Sequence, residues 1–377
     1  MPFANKTEPV ATLEVSEKVK PEEQIEYNVV SFLGVGDNIV YAGTVRDAQK
    51  NAQSGGRKYN FKPIYSEVSD MIEKADLSFI NQETLMCGDD YAFSYYPTVN
   101  GPQDMGLDLY ELGFDVVGMA NNHMLDKGSA GLEKTIAFWD TVPVTTVGGY
   151  KDKADYDQVR VVEKNGIKIA FLAYAEHTNG MSPSKKYNAH IPYLKEADIE
   201  AEVKKAKECS DLVFVSVHWG DEGAFKPNAL QKKYAKQFAD AGVDVILGHH
   251  PHVIQPVEWI EGKEGNKTLC VYSLGNFMAE QAYAYNMVGG MISFDIVSVS
   301  GAKPTLENVV FIPTVFDWGT AFYNNKVYLL ERYTAKMASN HGIKSYGRTT
   351  SLSQLRGYVD STISPEFLSD AYKNAVN

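Results

Sequence analysis

The chain has 377 residues, 48 acidic against 36 basic, giving a net charge of −12 with 44% apolar and 22% charged positions. That is an ordinary globular balance in a chain long enough for one large α/β domain with an appendage or for two domains. The acidity excludes a broad nucleic-acid surface, which needs concentrated positive charge. Apolar stretches such as Leu212 to Val217 and Val243 to Leu247 fall far short of the roughly 20 residues that cross a bilayer. Cys87, Cys209 and Cys270 are odd in number and too scattered for a disulfide framework or a zinc knuckle.

Residues 1–28 carry six Glu and three Lys without periodicity and read as a disordered leader or tether, of the kind that follows a removed membrane anchor or equally forms a cytosolic tail. From Tyr27 onward, β-rich runs alternate with helical patterns. Val29 to Val35 reads as the first strand, Pro63 to Ala75 as a helix and Leu77 to Ile80 as a strand. A helix over Asp104 to Leu112 precedes strand Asp115 to Met119, and helix Gly128 to Trp139 precedes Val144 to Val147. Gln158 to Val162 and Ile167 to Ala173 flank Lys164-Asn165-Gly166, where Asn-Gly favours the positive φ values of a type I′ hairpin. Helix Glu196 to Glu208 then leads to strand Leu212 to Val217, and helix Asn228 to Ala241 to strand Val243 to Leu247. Thr268 to Ser273, Gly290 to Ser298 and Asn308 to Pro313 follow as consecutive strands. This order suggests two sheets packed face to face under helices, with a core unit over 29–316 and an irregular, partly helical extension over 317–377. No internal repeat or heptad is present.

The chemistry collects at strand ends, where open α/β sheets bind ligands. The strands close in Gly36-Asp37, Asn81-Gln82-Glu83, Asn121-Asn122-His123, His218-Trp219-Gly220 and His249-His250-Pro251-His252. Each element alone is ordinary turn or core chemistry; five of them on one edge are not. His250 and His252, two residues apart, project to one side of an extended segment and suit one ion or a pair. Mixed imidazole, carboxylate and amide oxygen suits borderline divalent ions such as Mn, Fe or Zn, whereas a closed structural zinc site favours thiolates. Glu83 is placed to bridge two ions. His123, beside Asn122, is suited to protonate a leaving oxygen, with Asp126 three residues on to orient its ring.

In the order of these residues the chain resembles the calcineurin-like metallophosphoesterase superfamily, and more closely its capsule-synthesis branch, the CapA/PgsA family of poly-γ-glutamate biosynthesis proteins. The likeness rests on Gly36-Asp37, Ala120-Asn-Asn-His123-Met-Leu-Asp126-Lys-Gly128, Val217-His218-Trp219-Gly220-Asp-Glu222, Gly248-His-His-Pro-His252-Val-Ile-Gln255 and Ser273-Leu-Gly-Asn-Phe277, and spans Val29 to about Pro313. It implies a four-layer α/β/β/α sandwich of the metallophosphoesterase type, with a C-terminal extension and a binuclear metal site. Asp37 falls on the first-metal aspartate, Glu83 on the bridging acid, Asn122 and His218 on second-metal ligands, His250 and His252 on one ligand for each ion, and His123 on the proton donor. Asn81, Trp219, Glu222, Gln255 and Asn276 are expected at the substrate. Two positions depart from the superfamily pattern. Ile39 stands where the first motif has histidine, and Glu83, after Gln82, replaces the bridging aspartate.

The resemblance implies a protein at the outer face of the bacterial membrane, tethered by a segment outside this chain. Its partners are an anionic polymer such as poly-γ-glutamate and membrane synthase subunits. Metal ions, with Lys127, Lys185 and Lys186, are expected to supply the local positive charge an acidic protein needs for such a polymer. One reading is a metal-dependent hydrolase cleaving a phosphoester or a γ-glutamyl amide; the other is a non-catalytic polymer-binding partner of the synthase. His123 with Asp126 favours the first and Ile39 the second. A cytosolic nucleotide phosphatase predicts an intact Asp-x-His, which this chain lacks.

Overall fold

The computed structural model describes residues 27–52, 56–299 and 302–375; the leader to residue 26 lies outside the described residues. Among these, fourteen strands run in chain order: β1 (Tyr27–Asn38), β2 (Leu77–Gln82), β3 (Val116–Gly118), β4 (Thr145–Val147), β5 (Arg160–Lys164), β6 (Ile167–Ala175), β7 (Leu212–His218), β8 (Val245–His249), β9 (Val257–Glu261), β10 (Lys267–Val271), β11 (Asn276–Met278), β12 (Val288–Val299), β13 (Thr305–Asp317) and β14 (Lys326–Leu329). They form two sheets, ordered β14-β13-β12-β1-β2-β3-β4, with β11 on the end of β1, and β5-β6-β7-β8-β10-β9. β1 to β4 are parallel, as are β6, β7, β8 and β10. The C-terminal ends of both parallel sets therefore lie where the polar residues of the sequence fall.

β7 shows why the sheets stack. All seven of its residues are buried, so it has no solvent face, as expected of a parallel strand covered on both sides. Phe214 meets Phe32 of the other sheet with centroids 5.2 Å apart, and Phe79 of β2 stacks on Phe171 of β6 at 6.3 Å. Val213, Val215 and Val217 alternate to the opposite face and pack with Val203, Ala235 and Phe238 of the helices Ile199–Lys207 and Ala229–Ala241. Helices Asp104–Glu111 and Gly128–Trp139 cover the first sheet through buried residues such as Leu109 and Leu132. Each large ring or branched side chain so buried contributes roughly 1.5–3 kcal/mol. The molecule is thus layered α/β/β/α.

Local signals account for the helix and turn boundaries that matched. Asn228 and Gln231 form a reciprocal capping box, and Gly242 ends that helix at φ 92°. Asn165 and Gly166 take φ values of 48° and 76° in the β5–β6 hairpin. That hairpin opens the second sheet. The helix expected over Pro63 to Ala75 is instead a 3₁₀ turn, Lys62–Tyr65, followed by a short helix, Ser69–Lys74. The 3₁₀ turn points its last residue, Tyr65, inward, where the hydroxyl donates to Asn38 Oδ1 at 2.6 Å. A helix at Ala42–Asn51 was not expected, because its buried face is Gly43, Thr44, Asp47 and Ala48 around a lone Val45, with no apolar stripe to betray it. After Asp317, β14 adds the edge strand of the first sheet, and helix Leu352–Asp360 lies against β12.

One packed histidine in this last segment carries a pH expectation. His341 is buried edge-on against Trp318, accepts from Ile343 N at 3.0 Å through Nδ1 and reaches Phe316 O through Nε2 at 3.2 Å. Burial pushes its pKa down to about 4. Asp317, 3.6 Å from Nε2, is pushed up to about 6 by its own burial and loses charge over the same range. For His341 the folded-state value is depressed below the unfolded one, near 6.5, so its contribution is present above that pH and is lost as pH falls toward 4. The loss is on the order of 3 kcal/mol. His341→Asn should therefore show a smaller drop in melting temperature between pH 7 and pH 4.5 than the parent, by calorimetry.

Candidate functional site

The end of β1 is placed by a close backbone approach. A Cβ on Gly36 would sit 2.0 Å from Gly275 O, and Asp37 N donates to that same carbonyl at 2.9 Å. Glycine is required there. In register, Asp37 lies beside Asn81 of β2 and, across the second sheet, His218 lies beside His249. Asp37 Oδ1 accepts from Asn81 Nδ2 at 2.8 Å, while Oδ2 stands 3.2 Å from His252 Nδ1.

Glu83 sits at the centre. Its Oε1 is 3.5 Å from His218 Nε2, 3.7 Å from His252 Nε2 and 3.8 Å from His123 Nε2, and neither of its oxygens has a hydrogen-bond partner. On one side, His218 Nε2 lies 3.0 Å from Asn122 Oδ1 and 3.1 Å from His250 Nδ1. On the other, His252 Nδ1 faces both Asp37 and Asn276 Oδ1, the latter at 3.0 Å, which turns its Nε2 toward Glu83. Two sets of ligand atoms converge closely enough to hold an ion: Glu83 with His250 and His252, and Asp37 with Glu83 and His218.

The backbone of the histidine loop differs from an extended segment. β8 ends at His249, and His250 and His252 have φ of 97° and 54°. The two rings converge through left-handed backbone, uncommon for a non-glycine residue and held only where surrounding structure compensates. His249, between strand and loop, stacks on Phe79 at 5.8 Å, with Nδ1 3.3 Å from Asp37 Oδ1.

Protonation follows from these surroundings. Burial pushes the Glu83 carboxyl well above its usual range. Burial, then the neighbouring His250, drives His218 well below its ordinary value, and burial with His252 pushes His250 down to about 3. Burial would raise Asp37, but His249 and His252 hold it well below the carboxylate range. Neutral imidazoles at 218 and 250 carry the free lone pairs a metal requires. A buried carboxylate without a donor is costly, and a cation is the partner this set lacks. The donor set therefore fits one or two divalent ions.

His123 lies at the rim of this cluster. Its Nδ1–H donates to Asp126 Oδ2 at 2.6 Å, and that same oxygen accepts from Val99 N at 2.6 Å. The ring is thereby fixed with Nε2 toward Glu83. Asn121 serves this turn rather than the ligands, accepting from His123 N at 2.9 Å.

Of the residues expected at the substrate, Asn81 and Asn276 orient Asp37 and His252, and Glu222 lies on the wall of a cleft it shares with His252. Trp219 is a correction: it is fully buried in the second sheet's helix-facing core, its Nε1 donating to Tyr272 O at 3.0 Å. Gln255 is likewise buried, bridging Gln231 Nε2 and Ala224 O at 2.7 Å each, and supports the loop after β7. Lys185 and Lys186 are exposed, with Lys186 over the Tyr187 ring. Sequence reasoning missed the end of β6, where Asn179 Oδ1 accepts from Asn122 Nδ2 at 3.3 Å and His177 lies edge-on to His250 at 5.3 Å. The polar turn Glu176-His177-Thr178-Asn179 was the available signal, masked by reading β6 as an inserted hairpin arm. Ile39 is buried with Val99 and Ala279, so no polar atom stands at that position.

In class the molecule is an α/β/β/α sandwich with acid, amide and imidazole gathered where the parallel strands end. The chain belongs to the family described as bacterial capsule synthesis protein PGA_cap, whose model matches residues 31–281. It is 33% identical over 195 residues to the PGA biosynthesis protein CapA of Bacillus subtilis (strain 168), covering 50% of this chain and 48% of that protein. To the capsule biosynthesis protein CapA of Bacillus anthracis it is 33% identical over 193 residues, 49% and 45% of the two chains. The chain thus spans about half the length of these curated relatives. Among solved structures, the NAD nucleotidase of Haemophilus influenzae overlaps with a TM-score of 0.48 at 13% identity, over 93% of this chain and 59% of that one. The calcineurin-like phosphoesterase YfkN of Bacillus subtilis overlaps at 0.38 and 12%, over 75% and 91%.

Proposed function

We propose that this protein acts in capsule synthesis of the poly-γ-glutamate type, and that its strand-end site is a metal-dependent hydrolase of a phosphoester or a γ-glutamyl amide. The observation that carries the reading is the His123–Asp126 pair at 2.6 Å, fixed by Val99 N beside the ligand cluster. A binding module needs no imidazole with an acid aligned behind it. In this reading Asp37, Glu83 and His218, with Asn122 beside His218, would hold one ion, and Glu83, His250 and His252 a second. Bound ions of this kind supply Lewis acidity and lower the pKa of a water. The chain's own groups do the rest: His123 delivers a proton to the leaving atom through Nε2, Asp126 holds the imidazole in position, and Asn81 and Asn276 keep Asp37 and His252 aligned.

The second reading, a non-catalytic partner that binds an anionic polymer for a membrane synthase, is favoured by Ile39, which leaves the first ion a ligand short. Work at the outer face of the membrane belongs to either reading; among the described residues no helix is long and apolar enough to cross a membrane. The test is metal analysis of protein purified without chelator or a nickel column, alongside turnover of an activated phosphodiester and a γ-glutamyl polymer. Bound divalent ion with turnover abolished by chelator and restored by Mn, Fe or Zn is expected. Full metal loading with no turnover of either substrate would leave the binding partner.

A further inference from the structure

β6 ends at Ala175 and leads into the turn Glu176-His177-Thr178-Asn179-Gly180, which is stitched to the ligand cluster. Glu176 N donates to His218 O at 2.9 Å and its Oε2 accepts from Gly220 N at 2.9 Å, tying the turn to the end of β7. Thr178 Oγ1 donates to Met181 O at 2.7 Å and Met181 N to Thr178 O at 2.8 Å, which closes it. Asn179 and Gly180 take φ of 49° and 75°. Asn179 Oδ1 then accepts from Asn122 Nδ2 at 3.3 Å, leaving Asn122 Oδ1 to face His218 Nε2 at 3.0 Å. The turn is thus a fixed wall of the site, ordered before any ligand arrives.

His177 is the polar residue of this turn that the cluster itself does not use. It lies outside both converging sets of ligand atoms, yet its half-buried ring stands edge-on to His250, with centroids 5.3 Å apart and planes at 86°. Asn179 N donates to His177 Nδ1 at 3.3 Å, so the N–H of the ring is at Nε2. Among the described residues no protein group accepts from that Nε2. His123 meets the cluster at Glu83 instead, at 3.8 Å, so the two rings stand against different members of it. A histidine that only shaped the turn would need no more than its Nδ1 contact; this one is also laid against a ligand, with an N–H left to donate. An anionic group drawn to such a site carries more lone pairs than metal ions take up, and an N–H beside a ligand is the complement for one of them.

We infer that His177 is a substrate-contacting residue, whose Nε2–H donates to an anionic oxygen of the group brought to the ligand cluster, a phosphoryl oxygen or a carboxylate. The inference rests on the metal-site reading for the arrival of that group, and it adds a contact on the His250 side, apart from the proton donor His123. Hydrogen bonds to charged acceptors are the strong ones, so losing this one shows in affinity for the anion and not in metal content. A contact made equally before and during reaction raises KM when it is removed and leaves kcat nearly unchanged.

Two variants test it: His177→Phe keeps a ring against His250 and removes the N–H, while His177→Gln keeps an amide N–H at similar reach. Mn-loaded protein, freed of excess Mn, is titrated calorimetrically at neutral pH with inorganic phosphate and, separately, with a γ-linked glutamate decamer, which tells a phosphoryl partner from a carboxylate. The parent should bind at least one of them. His177→Phe should bind that ligand about tenfold or more weakly at unchanged Mn content, and His177→Gln within about threefold of the parent. Equal affinity of parent and His177→Phe for both ligands, a parent that binds neither, His177→Gln as weak as His177→Phe, or loss of Mn from His177→Phe overturns the contact. Because binding is read without turnover, a protein that holds the anion through His177 and turns over no substrate removes only the hydrolase reading. Turnover by His177→Phe with the parent's KM and affinity removes only this contact.

Discussion

His123→Ala is expected to cut turnover of an activated phosphodiester by about a hundredfold or more while metal content stays near that of the parent. A positioned general acid is worth about 10² to 10⁴ in rate. His123 meets the geometric requirement: one nitrogen is tied to Asp126 at 2.6 Å, and the other faces the cluster at 3.8 Å from Glu83, outside both converging ligand sets. Losing it removes a proton donor and leaves the converging nitrogens and oxygens in place. Asp126→Asn should have a smaller effect of the same kind, since the amide oxygen can still accept from the ring but makes a weaker hydrogen bond than the carboxylate. Equal turnover by parent and His123→Ala, both metal-loaded, would remove the catalytic reading and leave the binding partner.

His218→Ala should behave differently, with metal occupancy and activity falling together. Its Nε2 is approached within 3.0 to 3.5 Å by Asn122 Oδ1, His250 Nδ1 and Glu83 Oε1. At most one of these contacts is satisfied by a proton, so the arrangement needs a cation. Removing a residue that merely supports a ligand costs 10- to 100-fold in affinity, so removing a ligand should cost at least about 100-fold. His249→Ala is the control. That ring packs on Phe79 and touches Asp37 from behind, and its loss should leave stoichiometric metal. Metal analysis by mass spectrometry reads both variants; loss of metal from His249→Ala but not from His218→Ala or His250→Ala would show that the ligands are assigned to the wrong histidines.

Much of this site follows from local pattern. Runs such as Leu212 to Val217 are apolar at all but one position, as suits a strand covered on both faces, and each run ends in a residue able to bind a cation or a proton. Parallel strands then bring those ends to one edge, so Asp37, Glu83, Asn122, His218 and the 250/252 pair were legible as a group. Asn165-Gly166 and the Asn228 cap likewise act over a few residues and appear where the chain places them.

Tertiary structure decided what depends on contacts distant in sequence. Trp219 and Gln255 sit inside motifs rich in ligands, yet packing against Phe238 and Tyr272 and bonding to Gln231 and Ala224 turn them into the core. The pairing of β12 with β1, the convergence of His250 and His252 through positive φ, and the cleft built from residues 41, 222 and 280–286 have no local signature. Periodicity reports which face of an element is buried; which distant segment covers that face is set by the packing of the whole chain.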